Sequence, residues 1–416
     1  MVKRILVVIA FLIGILIVFG GGTLYYFIKQ QEKLGEGELY FGEKTSVTIP
    51  FYYSTSGHIL IDVKFENSKK AYPFILDSGA SNFIFKHHSS EFELESNGKA
   101  IGRGATGNFF LTSIKKVDAI EIDNIRIEKL NFKEIEFNFN CSDEIYGLIG
   151  NGTMKHIDWQ IDFEKQEIIM TQSLNDLKFG DNTIEVPLNI NKSSFHIRTS
   201  LQFSKEKKYK RALVDLGNNG VLSLVEKDVL KDSLNLQTRK ILGRRSEGLG
   251  GESKSSSTEK LVLLDSLFFK NTDFNVQKVP AVMSPSSMNL LGLGFLKKYK
   301  TTLSWKSKKM ILEPYDSVPN FIWKSNGLGT KFDKETQKLI VKSILNNSSA
   351  SVQNVPLKAE ILAINDTPIT SEDVVCEFRS KKDTSDSLKI KIKHNNSVKE
   401  IVLTKEHVFL NNEDLQ

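Results

Sequence analysis

Cysteine is nearly absent from this 416-residue chain: only Cys141 and Cys376 occur, about 235 residues apart. Two cysteines so placed make no disulfide framework and no metal-ligand spacing. Both are expected to be buried or inert thiols. Strong charge of one sign is also missing. Lys and Arg number 56 against 50 Asp and Glu, a net charge of +6, and lysine is spread throughout. That describes a solvated surface rather than a nucleic-acid-binding one. No Ser-His-Asp signature and no phosphate-binding loop is found. His87 and His88 have no acidic or cysteine partner at useful spacing, so a solvated loop is expected and no metal site. Few stretches carry the period of a long amphipathic helix.

One long apolar run is present. Lys3 and Arg4 precede an uncharged segment from Ile5 to Ile28. At about 1.5 Å per residue it exceeds a bilayer core of about 30 Å. Tyr25, Tyr26 and Phe27 fit an interfacial aromatic belt. Gly20-Gly21-Gly22 would serve a signal-peptide cleavage site, so residues 1–30 read as a transmembrane anchor or a signal sequence. The expectation is a single-pass anchor through residues 5–28, a polar linker at 31–45, and the bulk of the chain outside the cytoplasm.

Beyond the linker the pattern is mostly β, with short alternating segments such as Ser46–Phe51 and His58–Phe65. Two blocks recur in the same order. The first is an apolar strand running into an Asp turn: Phe74-Ile75-Leu76-Asp77-Ser78-Gly79, then Ala212-Leu213-Val214-Asp215-Leu216-Gly217. The second is an apolar pair before glycine: Leu148-Ile149-Gly150, then Leu290-Leu291-Gly292. Asp77 to Gly150 is 73 residues and Asp215 to Gly292 is 77. A glycine-rich polar loop lies between the blocks each time, at Gly102–Gly107 and at Gly248–Gly251. Matching order and spacing define an internal repeat, which is read before any single motif.

These blocks resemble the aspartic protease superfamily in its retropepsin-like form, with two lobes fused in one chain. The resemblance covers roughly residues 45–315. It implies a bilobal acid-protease-like pair of β-barrels, with lobe one at 46–175 and lobe two at 183–315. It further implies that Asp77 and Asp215 face one another as catalytic residues and activate a water without metal or cofactor. Ser78, Gly79, Gly217 and Asn218 would line the substrate site. Gly102, Gly104 and Gly250 would belong to flaps closing over a protein or peptide substrate. The second turn departs from the family pattern, which places Thr or Ser between Asp and Gly. Leu216 cannot donate, so half of the hydroxyl cross-brace is missing, and Asn218 is the candidate replacement. A catalytically weakened peptide-binding or scaffold protein of the cell envelope is the competing reading.

Residues 321–408 resemble a PDZ domain in its bacterial arrangement, a small β domain with short helices. Glu360–Ile369 carries the strongest match, although Lys358-Ala359 stands where many such domains have Gly-Asp. Gly327-Leu328-Gly329 matches the loop whose N–H groups capture a peptide C-terminal carboxylate, with the peptide adding a strand at the groove edge. The combination resembles membrane-anchored proteins of the bacterial envelope or periplasm.

Overall fold

A computed structural model describes residues 21–409 except 67, 105–106, 138–140, 142–143, 206–207, 233–235, 244–246, 249–250, 253–257, 285–287, 316–318, 322 and 381–384. The chain is mainly β, with short helices. The alternation in the sequence maps onto strands. Ile59–Phe65 buries Ile59, Ile61, Val63 and Phe65 completely or nearly so, while Asp62 between them is exposed. Burial of one face at this period fixes the register, because a slip of one residue would invert every side chain.

The repeat is visible in the pairing. Strand Gly147–Ile149 runs parallel to Ala71–Leu76 and antiparallel to Phe83–Phe85. Strand Asn289–Gly292 runs parallel to Lys210–Asp215 and antiparallel to Leu222–Val225. A short helix follows each glycine, Asn151–Met154 and Leu293–Leu296. A Cβ on Gly150 would meet the Ala80 carbonyl at 2.4 Å, and one on Gly292 the Gly220 carbonyl at 2.2 Å. Only glycine lets these strands cross behind the Asp loops so closely.

A six-stranded sheet joins the two halves. Asp158–Asp162 pairs antiparallel with Tyr299–Ser304, placing Trp159 opposite Leu303 and Ile161 opposite Thr301. One hydrophobic core runs from Phe41 to Phe321, and a separate core spans Phe332 to Leu403.

The N-terminal expectation falls partly outside the described residues, since 5–20 are not among them. Residues 21–33 are helical. Among the described residues no helix is long and apolar enough to cross a membrane. The expected linker at 31–45 is packed rather than loose. Leu34 and Phe41 are buried, and Glu38–Tyr40 pairs with Ile125–Ile135.

Cysteine requires a correction. Cys141 and Cys376 are disulfide-bonded rather than free, 235 residues apart in the chain. The fold brings the 141 loop against helix Glu372–Ser380, where the Cys141 N–H also donates to Glu372 Oε1 at 3.2 Å. Sequence separation hid a contact that only tertiary structure creates. A second link crosses the same boundary: Gln237–Gly243 pairs antiparallel with Lys338–Leu345, Ile241 opposite Leu345.

Candidate active site

Each aspartate closes a buried strand. Asp77 follows Ala71–Leu76 directly, and Asp215 ends Lys210–Asp215. Both turns curl in the same way. The Gly79 N–H donates to Asp77 Oδ1 at 2.8 Å, and the Gly217 N–H to Asp215 Oδ1 at 3.0 Å. The crossing strands hold the turns from behind. Asp77 N–H donates to the Ile149 carbonyl at 2.9 Å, and Asp215 lies level with Gly292.

The two turns face each other. A Cβ on Gly79 would lie 2.4 Å from Asp215 Cγ, and a Cβ on Gly217 2.4 Å from Asp77 Cγ. Each carboxyl therefore rests on the glycine of the opposite loop, and the two carboxyl groups interact with one another. Burial pushes Asp77 up to about 6, against the pull of backbone N–H groups from Gly79, Ala80 and Gly217. Burial, and next the charge of Asp77, holds Asp215 well above the usual carboxylate range. Two carboxyls this close do not readily both ionise, so the pair titrates as a unit that shares a proton.

Ser78 is a one-sided brace. Its buried Oγ donates to the Val214 carbonyl at 2.8 Å and accepts from the Leu216 N–H at 3.1 Å. The Leu216 side chain is fully buried in the main core and carries no hydrogen-bonding group to return. Asn218 does not replace the missing bond. Its side chain stays within its own half, donating to Ser223 Oγ at 3.2 Å and accepting from the Gly220 N–H at 3.0 Å. A short amide side chain that closes its own turn has no reach left to the other half. The next residue does cross: Asn219 Nδ2 donates to the Ser56 carbonyl at 2.6 Å.

Sequence reasoning missed two further residues. His58 Nε2 lies 3.1 Å from the Gly217 carbonyl oxygen, and His196 Nε2 lies 2.9 Å from the Gly79 carbonyl oxygen. Each bond passes from one half to the turn of the other. Ser56 Oγ sits 2.8 Å from His58 Nδ1, and Ser194 Oγ 2.8 Å from His196 Nδ1. The signal was in the sequence: Ser-x-His-Ile occurs at 56–59 and 194–197, with each histidine 19 residues before its aspartate.

The first glycine-rich loop tips the hairpin of Ser96–Arg103 and Phe109–Ile122. Gly102 lies against the Phe110 ring, and the Gly104 N–H donates to the Asn108 carbonyl at 2.9 Å. Phe110 reaches Phe83, 6.5 Å between ring centres, in the cluster that holds Ala80 beside the first turn. Ile101, Phe109 and Leu111 stay exposed on this hairpin. In the second half Glu247–Gly248 pairs with Gly251–Glu252. Gly250 lies outside the described residues.

In the C-terminal unit Gly327 has φ +80° and opens strand Leu328–Asp333. Its N–H donates to Ser325 Oγ, and that of Leu328 to Asn326 Oδ1, each at 3.0 Å. Two donors of the expected Gly327-Leu328-Gly329 carboxylate loop are thus engaged by neighbouring side chains. Arg379, on the helix that carries Cys376, donates to the Thr330 carbonyl at 3.4 Å.

No protein-family model matches this chain, and no curated protein matches it.

Proposed function

We propose that the chain is an aspartic endopeptidase, with Asp77 and Asp215 as its water-activating pair. The observation that carries this reading is the mutual approach of two duplicated Asp turns, each carboxyl seated on the glycine that follows the other aspartate. The ionised carboxylate takes a proton from a water held between the pair. The water oxygen attacks the peptide carbonyl carbon, while the protonated carboxyl gives its proton to the carbonyl oxygen. Collapse of the resulting gem-diol breaks the C–N bond, and the amine leaves with a proton from the pair. With burial raising both carboxyls, Asp77 to about 6, the singly protonated pair is favoured at mildly acidic pH.

The two lobes of a retropepsin-like protease, a flap at Gly102–Gly107 and a C-terminal PDZ-like domain form the finer reading of this β architecture. Peptide capture at residues 327–329 would require Ser325 and Asn326 to release the N–H groups they now hold. The apolar run at 5–28 supports a membrane anchor. The Cys141–Cys376 disulfide supports an oxidising compartment such as the bacterial envelope.

The test is cleavage of a mixed quenched-fluorescence peptide library from pH 4 to 8. Asp77→Asn and Asp215→Asn should each lower the rate by roughly a thousandfold or more. Full activity in either variant sinks the shared pair. Peptide binding without cleavage in the wild type would instead favour a scaffold role.

A further inference from the structure

We propose that His58 and His196 are positioning residues of the aspartate pair, each fixing from the opposite half the turn glycine whose N–H supports a carboxylate. This rests on the protease reading for its functional meaning. The geometry stands independently of it.

Gly79 shows the logic. Its carbonyl lies 2.9 Å from His196 Nε2, and the N–H of the same glycine donates to Asp77 Oδ1 at 2.8 Å. Gly217 repeats it, with the carbonyl 3.1 Å from His58 Nε2 and its own N–H donating to Asp215 Oδ1 at 3.0 Å. A carbonyl only accepts, so each Nε2 carries the proton. Each Nδ1 is then an acceptor, and the serine hydroxyl at 2.8 Å donates to it and selects that tautomer. Holding the glycine's oxygen restrains the tight turn and so the aim of the glycine N–H at its carboxylate. The chain therefore runs from serine to histidine to glycine to carboxylate, twice, related by the repeat. It supplies a side-chain tie between the halves at the turn where the Leu216 side chain offers none.

The surroundings keep both rings neutral. Burial lowers each histidine to about 4. The charged groups near His196 are Arg198 on its own strand and Lys133 from the other half, and both oppose a second proton. His58 faces Ser56 and the Asn219 amide, 3.4 Å from Nε2.

Two readouts on the full chain test this. In ¹⁵N-histidine spectra at pH 7, both residues should show the Nε2–H tautomer. An Nδ1–H tautomer at either would overturn the proposal, since that ring could not donate to the glycine carbonyl. The second readout is the titration of ¹³Cγ-labelled aspartate. His58→Leu and His196→Leu should raise the lower midpoint of the pair by about 0.5–1 unit, the effect of one weakened hydrogen bond. His58→Gln and His196→Gln, whose amide nitrogen replaces Nε2, should restore it. Leucine and glutamine variants both titrating as wild type would overturn the proposal. Should the leucine variants not fold, Ser56→Ala and Ser194→Ala must loosen the tautomer preference, and an unchanged tautomer there is the contrary result. A chain with these shifts but no peptide cleavage would retire the protease reading and leave the positioning role. Cleavage with no shift would do the reverse.

Discussion

The two aspartate turns share a backbone and differ in one side chain. At Ser78 a hydroxyl reaches across and serves both the Val214 carbonyl and the Leu216 N–H. At the equivalent position Leu216 points into the core and serves packing alone. The difference teaches that tethering between the halves need not be symmetrical when it is distributed. Ser78, His58, His196 and Asn219 all contribute bonds between the halves.

The comparison is broken most severely at the glycines. Gly79→Ala and Gly217→Ala each drive a Cβ to within 2.4 Å of the opposing Asp Cγ. Each should cost at least about a hundredfold in peptide cleavage, because the reacting groups are displaced by an ångström or more. A large gap between the two variants would show that the turns are not equivalent.

The braces should separate next. Ser78→Ala leaves a buried carbonyl and a buried N–H unpaired, about 2–4 kcal/mol by chemical denaturation. Leu216→Ala opens a core cavity at a similar cost of about 2–4 kcal/mol. Only Ser78→Ala should also lower the cleavage rate of the folded protein. Equal rate losses would make Leu216 part of the brace after all.

Acid sharpens the contrast between histidines and aspartates. His58 and His196 fall from 6.5 to about 4 on folding. Between those values the unfolded chain binds protons that the folded chain refuses. Stability is therefore lost as pH falls from 6.5 to 4, roughly 2–3 kcal/mol per histidine. The aspartates act oppositely. Asp77 rises from 3.8 to about 6 on folding, so its contribution grows as pH falls through that window. The double variant Asp77→Asn/Asp215→Asn should thus lose at least roughly 2 kcal/mol more than wild type between pH 6.5 and 4. Equal losses would place the aspartates outside the buried pair.

The smallest effect on chemistry belongs to the disulfide. Cys376→Ser should leave cleavage within about twofold, since the Gln237–Gly243 to Lys338–Leu345 pairing still joins the C-terminal segment to the rest. It should lower the unfolding midpoint, because a tie spanning 235 residues restricts the unfolded chain.

Much of this was legible in the sequence for a physical reason. The Asp turns and apolar-apolar-Gly blocks need particular residues, so duplication leaves a readable echo. The β class followed from alternation such as that in Ile59–Phe65. The histidines were missed because Ser-x-His-Ile looks like an ordinary strand start until its 19-residue offset from each aspartate is compared. The disulfide was invisible because nothing local connects Cys141 to the helix that carries Cys376. Asn218 misled because its reach depends on χ angles, and its own turn captures it.

The most direct measurement is the titration of ¹³Cγ-aspartate in the full chain, with Asp77→Asn and Asp215→Asn assigning the signals. Two coupled steps are expected, one near 6 and the other also well above the usual carboxylate range, so that the pair is not fully ionised at pH 6. Two independent carboxyls, both fully ionised by pH 6, would contradict the account.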